Sequence, residues 1–148
     1  MKHLHLRKRT KNALLGMGLL TLVALLLVCG AAAESEARQG EILTGNEERV
    51  AYLKALGWDV SEQPRARQEV IIPRNFSDVF ENYNTLQKQQ GFDLEDYKGL
   101  TVSLYTYEVT NWPEPGLTVL ADLYLYRNRV IAGDVHATAM DGFMIGIR

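Results

Sequence analysis

From Ala13 to Ala33 the chain runs 21 residues without a charge, directly behind five bases in its first eleven residues. A basic head on an apolar run predicts a membrane-engaging helix, with the head kept cytoplasmic and everything beyond residue 33 outside. The eight Leu and two Val between Leu14 and Val28 favour insertion by about 3 to 6 kcal/mol together. Two fates fit this segment. Leu14 to Val28 has signal-peptide length, and Ala31, Ala32 and Ala33 supply the small side chains of a cleavage site. The same uncharged run at 1.5 Å rise per residue spans about 30 Å of hydrocarbon, enough for a permanent anchor.

Beyond residue 33 the apolar spacing changes to that of a folded domain. Residues 34–44 read as a polar tether and residues 45–148 as one domain. A first helix is predicted over Gly45 to Leu56, with Val50, Leu53 and Leu56 on one face, Thr44 as cap and Glu47 completing a capping box. Gly57 ends it. Trp58 to Val60 and Gln68 to Ile72 read as short strands, the second stopped by Pro73. Phe76, Val79, Phe80, Tyr83 and Leu86 recur at spacings of three and four, predicting a second helix with an aromatic stripe toward the core, closed by Gly91.

The last third is rich in β-branched and aromatic residues. Thr101 to Thr110, Leu117 to Tyr126 and Val130 to Ala139 are predicted as strands of an antiparallel meander. The expected architecture is α+β: two helices packed on a mainly antiparallel sheet, behind the N-terminal signal or anchor helix. A two-residue loop at Arg127 and Asn128 would pair Leu125 with Val130 and drive Asp134 and His136 into the apolar face. A three-residue loop, Arg127 to Arg129, is therefore expected. It leaves Asp122, Tyr124, Tyr126, Asp134 and His136 together opposite Val119, Ala121, Leu123, Leu125, Ile131, Gly133 and Val135, and avoids the cost of burying an unpaired carboxylate.

Composition narrows the function classes. Five of the sixteen bases precede the first acid, Glu34, so the remainder carries eleven bases against eighteen acids, a net charge of −7. That balance excludes a nucleic-acid partner, since neutralising phosphates needs a basic surface. Cys29 is the single cysteine, so the exported part has no disulfide. Val28 before it is poor for a lipoprotein signal, and Cys29 reads as a small apolar residue. The exported part has one histidine, His136, too few for a zinc site built on two imidazoles. Nucleophile elbows, phosphate loops and calcium loops are likewise missing from the sequence. No catalysis, metal or cofactor is expected.

One constellation has a functional reading. Tyr124, Tyr126, Asp134 and His136 share a sheet face, a surface suited to a peptide or glycan, whose alternative is a half-exposed face with ordinary cross-strand pairs. Trp112, in Asn-Trp-Pro-Glu-Pro-Gly, is either an exposed contact residue or a cover over the sheet end. The terminal Asp141 to Gly146 reads as core closure or an edge strand.

Four stretches carry a family resemblance: Gln68-x-Val70-x-Ile72-Pro73; Tyr83-Asn84-x-Leu86-Gln87-Lys88-Gln89-Gln90-Gly91-Phe92-Asp93-Leu94; Tyr107-x-Val109-Thr110-Asn111; and Val130-Ile131-x-Gly133-Asp134-Val135 through Asp141-Gly142-Phe143-Met144. The chain resembles a bacterial family known only as a domain of unknown function, over roughly Asn46 to the C-terminus. Ala132 stands where a second glycine would be familiar. The resemblance implies a small exported domain behind a membrane segment and brings no catalytic residues. Together these readings describe an extracytoplasmic binding or structural module of the bacterial envelope. Its partners are the membrane, through the N-terminal helix, and an envelope protein or glycan. The alternatives are a hydrolase using paired carboxylates and a sensor or inhibitor gripping a protein through the Tyr124, Tyr126 and His136 face.

Overall fold

The computed structural model describes residues 40–139 and 141–148. The signal or anchor segment 1–33, Cys29 and the first part of the tether lie outside the described residues. Among those described, no helix is long and apolar enough to cross a membrane.

Two helices lie on one five-stranded antiparallel sheet. In chain order they are α1 (Asn46–Ala55), β1 (Ala66–Ile71), α2 (Asp78–Gln89), a 3-10 turn (Leu94–Tyr97), β2 (Thr101–Glu108), β3 (Val119–Tyr126), β4 (Arg129–Ala137) and β5 (Met144–Gly146). The strands sit side by side in that same order, so the whole sheet is a meander. The predicted strand at Trp58 to Val60 reduces to a single bridge between Val60 and Val109.

Gly45, in extended backbone, caps α1 in place of Thr44. The capping box closes through Glu48 instead of Glu47: its carboxylate accepts from the Gly45 N–H at 3.2 Å and the Thr44 hydroxyl at 3.0 Å. For α2, the Ser77 hydroxyl accepts from the Phe80 N–H at 3.3 Å. Its stripe is rotated from the predicted one. Val79 is 79% exposed, while the polar Asn84 and Gln87 are buried. The sequence gives polar residues to this face because the helix end covers backbone rather than side chains. Asn84 Oδ1 accepts from the Leu94 N–H at 2.8 Å, and Gln87 Oε1 accepts from the Gly133 N–H at 3.0 Å. Just past the helix, Gln90 donates to the Gly133 carbonyl at 3.0 Å and accepts from the Ile147 and Arg148 N–H groups at 2.6 and 3.1 Å.

Strand alternation divides the core between the two sheet faces. Val119, Ala121, Leu123 and Leu125 of β3 join Tyr107, Val135, Ile147 and the α1 residues Tyr52 and Leu53 on one side. Tyr124 and Tyr126 turn to the other side, where Ile72, Leu94, Val102, Ile131 and Ala132 meet Phe76, Phe80 and Tyr83. Each fully buried leucine, such as Leu53, Leu94 or Leu123, contributes about 1.5 to 3 kcal/mol.

The β3–β4 hairpin departs from the expected loop and still reaches the expected faces. Leu125 pairs with Val130 and Tyr126 with Arg129, so the loop is the two-residue one, Arg127 and Asn128. Both have positive φ, 49° and 65°, the backbone hand that matches strand twist in a two-residue turn. The register then shifts, because Tyr124 pairs with Ala132 and Ile131 is left over as a bulge. That one residue restores the phase, so Asp122 faces Asp134 and Leu120 faces His136. It also sends Ile131 to the α2 side, against expectation.

Candidate functional site

The bulge makes the site. Because β4 regains its phase after Ile131, Asp122, Asp134 and His136 emerge on the α2 face of the sheet beside Tyr124. Asp134 is only 1% exposed. An isolated carboxylate there would cost several kcal/mol, and both of its oxygens are accordingly bonded. Oδ2 accepts from the Tyr83 hydroxyl at 2.7 Å, and Oδ1 lies 2.9 Å from His136 Nδ1. On the neighbouring strand Asp122 Oδ1 accepts from the Thr106 hydroxyl at 2.5 Å.

Titration follows from this crowding. Burial pushes the Asp122 carboxyl above its ordinary range; the Thr106 hydroxyl pulls it down, and the Asp134 charge raises it further. The hydrogen bond to Asp134 raises the His136 imidazole above its ordinary value, against burial, which lowers it. Burial, then the Asp134 and Asp122 charges, push the Tyr124 phenol up to about 12. The Tyr83 phenol is raised too, first by burial and then by Asp134. The Tyr83 hydroxyl is the donor to Asp134.

Asp122, Asp134 and His136 each offer one ligand atom, all within 4.8 Å of one another, the grouping among the described residues that has cation-ligand spacing. The strand alternation places these residues on one face but carries no mark of a ligand set. The two carboxylates are cross-strand neighbours on one sheet face.

Of the residues singled out in the sequence, Tyr124, Asp134 and His136 come together. Tyr126 shares their face but stacks edge-on with Tyr97, ring centroids 5.7 Å apart. Tyr124 is half-buried under Tyr83, at 6.1 Å. Tyr83 and Tyr97 thus each pack against one of the two rings, which both stay half-buried. Trp112 is elsewhere, packed on the α1-side core, stacked on Phe143 at 4.5 Å and beside Trp58 at 6.4 Å. It covers the sheet end, the second of its two readings. Trp58 also belongs to the core, its indole N–H donating to the Ile147 carbonyl at 2.8 Å. Tyr83 is the residue sequence reasoning missed. It reads as one more aromatic on a helical stripe, yet a buried Asp134 needs a donor, and the helix covering that sheet face offers a phenol at Tyr83.

The profile of "Domain of unknown function (DUF4830)" matches residues 52–135, more than half of the chain. The chain belongs to that family. The match begins inside α1 and ends in β4. The DUF4830 segment therefore includes Tyr83, Asp122, Tyr124 and Asp134, stops one residue before His136, and leaves out the Asp141-Gly142-Phe143-Met144 stretch. No curated protein and no solved structure matches the chain.

Proposed function

We propose that this DUF4830 protein is a non-catalytic binding or structural module on the outer side of a bacterial cytoplasmic membrane, delivered or held there by residues 1–33. The observation that carries the reading is the double engagement of Asp134. Both carboxylate oxygens are bonded inside the domain, to Tyr83 and to His136, and the Tyr83 bond fastens α2 to the sheet, which supports a structural role for Asp134. The basic and apolar head, followed by a domain of net negative charge, supports the location.

A periplasmic-only reporter enzyme fused after Arg148 tests the location. Activity is expected in intact cells, and a reporter active only in the cytoplasm would end the proposal. N-terminal sequencing of the membrane and soluble fractions separates the fates: a mature end at Glu34 means cleavage, and an intact Met1 in the membrane means anchoring. Turnover of envelope glycans by the purified full-length protein, lost in Asp134→Asn, would overturn the non-catalytic assignment.

A further inference from the structure

Strand β1 forms one border of the sheet, and no described strand pairs with its outer edge. Its backbone phase is fixed by the inner neighbour. The Ile72 N–H donates to the Leu100 carbonyl at 3.0 Å, and the register continues through Val70 with Val102 and Gln68 with Leu104. Bonded and non-bonded pairs alternate along an antiparallel ladder, so Arg67, Glu69 and Ile71 turn their N–H and C=O groups outward. Ile71 is 68% exposed, and the side chains of Arg67 and Glu69 are 64% and 55% exposed. An uncovered edge of this kind is a template for another strand unless its charges oppose one.

We propose that β1 pairs antiparallel with β1 of a second copy of this chain, across a two-fold axis at Gln68, joining two five-stranded sheets into one. Charge selects that register. Among the registers that set these two charges against each other, Arg67 can oppose its own counterpart, Glu69 its own counterpart, or Arg67 the partner's Glu69. The first two set like charges face to face. The third makes two opposite-charge pairs, and each is also a pair that exchanges backbone hydrogen bonds.

The same register places Ala66 against the partner's Val70, small against branched, on the opposite face. Plus and minus two residues apart on one strand are self-complementary in an antiparallel pair. The two charges already stand together on one face. Arg67 Nη2 is 3.8 Å from Glu69 Oε1, and its guanidinium lies 5.6 Å from the Tyr105 ring centroid. Adding the partner's pair makes a row of four alternating charges.

The register predicts its own cross-link. Gln68 faces its symmetry mate in a non-bonded pair, where Cα atoms are about 4.5 Å apart, within disulfide reach. In the full-length protein in mild detergent, with Cys29→Ser as background, Gln68→Cys should oxidise to a covalent dimer at least about tenfold faster than Arg67→Cys, Glu69→Cys or the α2 control Gln89→Cys. Sedimentation should show a dimer in the parent. Arg67→Glu or Glu69→Arg alone should weaken it about tenfold or more, and the double variant Arg67→Glu/Glu69→Arg should restore it. Restoration is the decisive readout, because damage to folding would accumulate in the double variant. A monomer throughout, Gln68→Cys cross-linking no faster than Gln89→Cys, or a dimer indifferent to both charge changes would overturn the proposal. The last pattern is what association through residues 1–33 or through a different partner surface would give.

Discussion

Replacing Tyr83 by Phe removes one oxygen and leaves the ring contacts in place. The ring stands 5.8 Å from Phe80 and 6.1 Å from Tyr124, contacts that Phe can keep. What is lost is the 2.7 Å hydrogen bond to Asp134 Oδ2, an acceptor whose residue is 1% exposed, so water does not replace the donor. Hydrogen bonds to charged groups contribute about 1.5 to 3 kcal/mol net, and burial places this one in that range without a discount for solvent screening. With a urea slope of about 1 to 3 kcal/mol per molar, the unfolding midpoint should fall by roughly 1 M with the slope unchanged. Fluorescence of Trp58 and Trp112, both packed on the α1-side core, follows the transition. A double-mutant cycle with Asp134→Asn should show a coupling of at least about 1 kcal/mol. A loss below about 0.5 kcal/mol, or additivity in the cycle, would mean that Asp134 is satisfied without Tyr83 and that α2 is not fastened through it.

Three further outcomes follow from the same geometry. The raised His136 imidazole contributes stability that is complete below the ordinary histidine value of about 6.5 and is lost as pH rises through its folded-state value; thermal melts should show the decline, and His136→Gln should flatten it. The raised Asp122 carboxyl favours its protonated form in the fold, so it detracts from stability as pH rises above the ordinary carboxylate range near 4. Asp122→Asn, still able to accept from Thr106, should therefore raise the urea midpoint at pH 7, and a lowered midpoint would refute this. Gly133→Ala would place a Cβ 3.0 Å from the Asp122 carbonyl oxygen and from two Ile147 carbons, and should cost about 1 to 3 kcal/mol in denaturant titration.

Much of the fold is legible in the sequence because the signals are local. Val70 and Ile72 flank exposed Ile71, the β3 alternation is strict, and glycines at 57 and 91 take the positive φ that ends each helix. Val79 misled because helical spacing fixes a stripe only to within one residue. The buried edge of α2 is decided by which side chains serve the backbone of Leu94 and Gly133, and that is tertiary information. The hairpin shows the same limit more sharply. Asp134 and His136 could be assigned to one face by the cost of burying charge, yet the mechanism, a bulge at Ile131 rather than a longer loop, leaves no mark in residue type. Asp122, Asp134 and His136 were readable as neighbours. The depth of Asp134 was not, because it depends on α2 lying over the sheet.

Gln90 has a kinetic consequence. Its side-chain bonds to Gly133, Ile147 and Arg148 span 43, 57 and 58 residues of chain, so each returns free energy only once the end of α2 has met β4 or the C-terminal segment. These contacts should form after the rate-limiting step of folding and break before that of unfolding. In stopped-flow measurements Gln90→Ala should speed unfolding while leaving refolding nearly unchanged, a φ-value close to zero. Resistance to slow opening would then reside in one neutral amide at a helix end, and a φ-value near one would place that amide in the folding nucleus instead.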